Sequence, residues 1–569
     1  MTSIPPPRPR TRVGPGTHSV RLLRLAVLLA VMVVSVTSAA AEPPRAYGVL
    51  TGTLVRTDHG LIRGTAHGSY VTFDGIPYAA PPTGRLRWQE PAPAAAWQGV
   101  RDATVPASRC VQMPMPGMDG VSGSEDCLYL NVTVPSARPP AGERRPVLVW
   151  LHGGAFLGGS GGDYGAERLA VRGDTLVVTV NYRLGVFGYF GHRALGSAPP
   201  FGLADQQAAL RWVRANAERF GGDPGAVTLF GESAGALSIC AHLTSPRAAG
   251  LFQRAVLQSG SCLMSFPPGA LGPGTAAYEP FATEHDVQDS GARAARELGC
   301  AANDDARVLA CLREQSTERL ATTQIMQSFN RPAFGNSLLP TAPGESLASG
   351  RFHRVPLLQG TNHDEMRMFV GQSLTAYPLR TEEDYHARLS DAFGSAGAAV
   401  ASRYPAARYP TPALAWSAAL TDRSLTCTTL QAAREIATKA PRTPLYGYEF
   451  NDPDAPVLTG LPPHADLPYG AAHGFELPYL FSSVPTQQPL TEAQGTLSDR
   501  MIDYWASFAH TGNPNTPGAP RWPVLRTTGP VLSLAPGPGA IRAHDAYDAH
   551  HCAFWHGAHT PMGPGLSPL

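Results

Sequence analysis

The chain has 569 residues, of which 43% are hydrophobic and 16% charged, with a formal net charge of +1. That composition suits a globular protein with a large core and excludes a disordered or fibrous one. Five arginines (Arg8, Arg10, Arg12, Arg21 and Arg24) lie in an N-terminal segment that has no acid, so the remainder is slightly acidic. No basic stripe is left to hold a phosphate backbone, which argues against nucleic acid as a partner.

Those arginines precede an apolar run, Leu25 to Val36, and then Ala39-Ala40-Ala41, which has the small-x-small form of a cleavage site. The run is well short of the roughly 20 residues needed to span a bilayer. The reading is a signal peptide over 1–41, a mature chain from Glu42 and export without a stable membrane anchor. In that compartment disulfides persist.

From Tyr47 to Gln89 the pattern is short strands and turns. Buried-strand candidates follow at 146–151 (PVLVWL), 175–180 (TLVVTV), 227–230 (VTLF), 254–258 (RAVLQ), 355–359 (VPLLQ) and 444–450 (PLYGYEF). Several are near-continuous apolar runs, as expected of parallel strands covered on both faces. Helical patterns separate them, notably at 204–220 and from Ser233 onward. This alternation predicts an α/β fold with a large, mostly parallel central sheet flanked by helices. The segments 264–350 and 366–440 interrupt the rhythm and are expected to be helical insertions over the active face. With no internal repeat and no linker, one catalytic domain over 42–569, its core about 45–557, is the simplest organisation.

Two stretches fit the G-x-S-x-G pattern: Gly231-Glu232-Ser233-Ala234-Gly235 and Gly158-Gly159-Ser160-Gly161-Gly162. Only Ser233 follows a strand and opens a helix-compatible run, which is the context a nucleophile elbow requires. Ser160 reads as loop. The glycines before it, in His152-Gly153-Gly154-Ala155, come directly off the strand at 146–151, where such hydrolases place an oxyanion-hole loop. The expected donors are the backbone N–H groups of Gly153, Gly154 and Ala234, fixed in advance where negative charge develops.

At this point a family resemblance becomes specific. GIPYAAPPTGRLRW (75–88), SEDCLYLNV (124–132), HGGAF (152–156), NYRLGVFG (181–188), FGGDPGAVTLFGESAGA (220–236), QSGS (258–261), GTNHDE (360–365), HGFELPYLF (473–481) and DYWASFAHTGNPN (503–515) match, in order, the motifs of the type-B carboxylesterase/lipase family. This is the cholinesterase-like branch of the α/β-hydrolases. The resemblance implies a serine carboxylesterase acting on small-molecule esters through an acyl-enzyme, with no cofactor and no metal.

In this fold the triad follows the chain order serine, acid, histidine. His473, after a Gly/Ala-rich loop, matches the family's catalytic histidine. After the strand at 355–359 come both Asp364 and Glu365, and the resemblance favours Glu365. Met366 stands where the family usually has glycine. Glu232 and Ser259 match positions that support the triad. Arg87 with Glu125, and Arg183 with Asp205, match buried ion pairs.

The resemblance also implies the disulfides Cys110–Cys127, Cys300–Cys311 and Cys427–Cys552. Cys240 and Cys262 remain as a possible fourth pair. The histidine-rich stretch AHDAYDAHHCAFWHGAH is too loosely spaced to read as a metal site, and no CxxC occurs.

The resemblance also disfavours choline esters: cholinesterases hold the choline cation on a tryptophan between the cysteines of the first bridge, and the corresponding loop here, 111–126, has no aromatic residue. The rival readings are a lipase of the same family and a non-catalytic binding or adhesion protein. Occupied triad positions argue against the last.

Overall fold

The computed structural model describes residues 53–113, 122–140, 142–197, 199–527 and 529–557. The expected signal segment and residues 114–121, half of the loop 111–126, lie outside them. Among the described residues an 11-stranded sheet organises the molecule. In chain order its strands are β1 (Thr65–Ala66), β2 (Tyr70–Pro77), β3 (Tyr129–Pro135), β4 (Arg145–Leu151), β5 (Leu176–Val180), β6 (Gly222–Glu232), β7 (Arg254–Gln258), β8 (Leu357–Asn362), β9 (Leu445–Phe450), β10 (Val531–Leu534) and β11 (Arg542–His544). In space they run β11-β10-β9-β8-β7-β6-β4-β5-β3-β2-β1. Strands β5 to β10 in that row pair parallel, and antiparallel strands close both edges.

The apolar runs explain why these strands are central. β4 and β5 are buried along their whole length, since parallel strands carry helices on both faces. Alternate residues feed two separate cores, as the period of two requires. Val147, Val149, Leu151, Leu229 and Ala255 face one. Leu148, Trp150, Phe230 and Val256 face the other, where Trp150, Phe230 and Phe481 form an aromatic knot.

Of the boundaries that differ from the sequence reading, two have a clear local reason. The strand expected at 355–359 starts at Leu357 and runs on to Asn362. It continues through Gly360 because a Cβ there would sit 2.3 Å from the Tyr448 ring, so the glycine serves close packing rather than a turn. The helix expected over 204–220 is an α-helix over Phe201–Asn216 followed by a 3₁₀ turn, Ala217–Phe220, that ends at Gly221 with φ 80°. The expected insertions hold helices such as Glu284–Glu297, Asp305–Glu314, Pro412–Thr421 and Cys427–Lys439. β3 and the edge strands β10 and β11 were not anticipated. No helix among the described residues is long and apolar enough to cross a membrane.

The eight cysteines form Cys110–Cys127, Cys240–Cys262, Cys300–Cys311 and Cys427–Cys552. Arg87 makes a two-pronged contact with Glu125, and Arg183 does the same with Asp205 at 2.7 and 2.8 Å.

Candidate active site

β6 ends at Glu232, and the helix Ala234–Thr244 begins one residue after Ser233. Ser233 itself sits at φ 53°, ψ −120°, a conformation that side chains rarely adopt. Both flanking glycines are required by space. A Cβ on Gly231 would lie 2.6 Å from the Leu151 carbonyl oxygen, and one on Gly235 only 2.0 Å from the same atom. The elbow is therefore pressed against the end of β4, where the glycine loop starts. Ser233 N–H donates to Gln258 O at 2.9 Å, which ties the turn to β7.

The glycine loop is equally confined. A Cβ on Gly153 would meet the Glu232 carboxylate at 2.4 Å, and one on Gly154 (φ 102°) would meet Gly158 O at 2.2 Å. Ala155 and Phe156 continue at φ 55° and 60°. Gly158 N–H and Leu157 N–H both donate to Gly154 O, so the loop is held by its own backbone. His152 braces it from behind, stacked on Tyr182 at 4.3 Å, and burial lowers its pKa to about 4, so this imidazole stays neutral. Among the described residues, none accepts a hydrogen bond from the N–H of Gly153, Gly154 or Ala234. Unpaired backbone donors at such a place are costly unless something is meant to meet them. Ser160 is buried farther along the loop, with its hydroxyl donated to Asn181 and accepting from Gly162 N–H.

Glu365 and His473 arrive from β8 and from the loop after β9. The imidazole Nδ1 lies 2.6 Å from Glu365 Oε2, and Glu365 Oε1 accepts from Asn362 N–H at 2.8 Å. Asp364 points elsewhere. Its carboxylate pairs with Arg367 at 2.7 Å and accepts from Ala471 N–H, which shapes the loop carrying His473. Met366, where the family usually has glycine, opens the helix Met366–Leu374 and donates its N–H to Thr421 Oγ1.

His473 Nε2 lies 3.1 Å from Glu232 Oε1, but the contact is poorly aligned and neither atom has a hydrogen-bond partner. No hydrogen bond joins the imidazole to Ser233 among the described residues. Loose contacts of this kind are common before substrate binds. Burial opposes charging of His473, yet the facing carboxylates of Glu232 and Glu365 raise its pKa above the ordinary histidine value. Burial likewise raises the pKa of Glu232, against the pull of His473. Ser259, at φ 51°, is fully buried with an unpartnered hydroxyl just beyond β7.

Sequence reasoning missed two neighbours. Glu476 is fully buried, three residues after His473, and accepts from Asn362 Nδ2 (2.7 Å) and Gln258 Nε2 (3.1 Å). It adds a third buried carboxylate to the cluster, with its pKa raised first by burial. The Phe369 ring lies 5.0 Å from the imidazole. Nothing in residue type or spacing marks either one.

A strained serine at a strand-to-helix elbow, at the C-terminal end of a parallel sheet and next in the chain to a glutamate 3.1 Å from a buried, carboxylate-paired histidine, fits an α/β-hydrolase. The family model for the carboxylesterase family matches residues 51–555. The chain is 34% identical to acylcarnitine hydrolase of Mus musculus, covering 85% of this chain and 86% of that protein. It is 32% identical to cocaine esterase of Homo sapiens (90% and 92%) and 33% to para-nitrobenzyl esterase of Bacillus subtilis (84% and 93%). The chain belongs to the carboxylesterase family, and it is a carboxylic-ester hydrolase.

Proposed function

We propose that the protein is an exported serine carboxylesterase working through an acyl-enzyme. Ser233 Oγ attacks the ester carbonyl carbon while its proton passes to His473 Nε2. The carbonyl oxygen becomes the oxyanion, held by the N–H groups of Gly153, Gly154 and Ala234. Collapse of the tetrahedral intermediate breaks the bond to the alcohol, which leaves with the proton from His473. Water then attacks the acyl-Ser233 ester, again giving its proton to His473, and the acid departs as Ser233 is restored. Glu365 orients the imidazole and stabilises its charged form. Glu232 and Ser259 support the histidine and the water-attack step.

The observation that carries this reading is the 2.6 Å Glu365–His473 pair, whose distal nitrogen has no hydrogen-bond partner and lies 3.1 Å from the carboxylate of Glu232, the residue before the strained Ser233. The substrates are small-molecule carboxylic esters, and the loop without aromatics disfavours choline esters. Export by a cleaved leader over 1–41 accords with the four disulfides.

A fluorophosphonate probe tests the assignment of the nucleophile. Wild type should be labelled stoichiometrically with loss of activity. Ser233→Ala should take no label and retain at most about 10³–10⁴-fold catalysis over water. Labelling and near-normal turnover in Ser233→Ala, with both lost in Ser160→Ala, would overturn it.

A further inference from the structure

A second histidine–carboxylate cluster lies where β8 and β9 end. Glu449, near the end of β9, is almost completely buried and faces histidines from separate parts of the chain. His363 Nδ1 is 3.4 Å from Glu449 Oε1, and His544 Nε2 is 3.0 Å from Oε2. His550 Nε2 is hydrogen-bonded to Oε1. The rings of His363 and His550 cross at 64° with centroids 5.0 Å apart. One ligand atom from each of His363, Glu449 and His550 falls within 4.8 Å of the others.

We infer that this cluster binds a divalent transition ion of the zinc type, ligated by His363 Nδ1, the Glu449 carboxylate and His550 Nε2. Two imidazoles and one carboxylate are a donor set that suits such an ion. Bonds of about 2.0–2.1 Å in tetrahedral array put neighbouring donors roughly 3.3 Å apart, and the His363–Glu449 spacing of 3.4 Å matches. His550 and Glu449 are joined by the proton of their hydrogen bond. The cation takes that proton's place, widens the gap and releases the proton to solvent.

The surroundings are those of a ligand set held from outside. His550 presents Nε2 because its Nδ1 is engaged by Asp422 Oδ1 at 2.5 Å, the carboxylate–histidine arrangement that fixes the tautomer of metal-binding imidazoles. Asn451 Nδ2 donates to Glu449 Oε2 at 2.6 Å and holds the carboxylate. Entry comes from the His363 side, where that side chain is 45% exposed, and a water can complete the coordination. The ion would join the segment two residues before Glu365, the end of β9 and the C-terminal stretch anchored by Cys427–Cys552.

The test is equilibrium dialysis of the chelator-stripped full chain against zinc alone, with metal analysis, and with cobalt as a visible-absorption probe. One equivalent should bind and raise the melting temperature. His363→Ala, on the exposed side and therefore expected to fold, should bind at least about tenfold more weakly. Glu449→Gln should lose the cobalt signature. His556→Ala, in the same C-terminal stretch but outside the cluster, should bind as wild type does. No stoichiometric binding would reduce the cluster to an ion-pair network and overturn the inference. Equal binding by wild type and His363→Ala, or loss of binding in His556→Ala alone, would overturn it too.

Discussion

Among the described residues two buried histidines are set between carboxylates, and they are wired differently. His473 faces Glu365 and Glu232, but only its Nδ1 is hydrogen-bonded. His550 faces Asp422 and Glu449 and is hydrogen-bonded at both nitrogens. A base needs a nitrogen left free for the proton it will take, so the incomplete wiring belongs with the elbow serine. The complete wiring braces the C-terminal segment against the sheet. Both imidazoles are buried and each faces two carboxylates, and the unengaged nitrogen of His473 separates them.

Breaking the orienting carboxylate should give the largest difference. Glu365→Gln cannot stabilise the imidazolium or fix its tautomer, and turnover of an aryl ester should fall by up to about 10⁴-fold. Asp364→Asn disturbs only the pair with Arg367 and the 470–471 loop, so its loss should be far smaller. Equal losses in steady-state kinetics would remove the distinction between the two acids.

At the second cluster, His550→Ala should leave catalysis comparatively intact but cost about 3–5 kcal/mol of stability. It strands two buried carboxylates, Asp422 and Glu449, without their shared cation. The urea midpoint measures this, and an unchanged midpoint would show that the network carries no strain when cut. His473→Ala should do the reverse, silencing turnover with less effect on the midpoint.

A subtler effect concerns Glu232. In the proposed mechanism His473 acts as the base in its neutral form, so kcat/KM should fall as pH drops through its pKa. Because Glu232 and Glu365 raise that pKa, the acidic limb should lie above the ordinary histidine value of about 6.5. Glu232→Gln removes one of the two carboxylates and should shift the limb to lower pH. A limb that stays in place would mean that Glu232 does not act on the imidazole.

How much of this was legible in the sequence depends on how local each signal is. Ser233 and the loop at Gly153 and Gly154 were readable because an elbow and a glycine turn are encoded within a few residues. The parallel sheet was readable from apolar runs, while β10 and β11 are short edge strands with little such signal. Glu365 and Asp364 are adjacent, and only the fold turns one to the imidazole and the other to Arg367. Glu476 and Phe369 are ordinary residues made special by what packs on them. The cluster around Glu449 joins residues from just after β8, from β9 and from the C-terminal stretch, so no spacing in the chain could reveal it.

The central claim is that ester cleavage passes through an acyl group on Ser233. Acid quenching during turnover of a slowly deacylated aryl ester, followed by peptide mass mapping, tests it most directly. The account predicts one acyl group per chain, located by fragmentation at Ser233 and building up with the rate of the initial alcohol burst. An active enzyme with no acyl adduct, or with the adduct on Ser160, would contradict it.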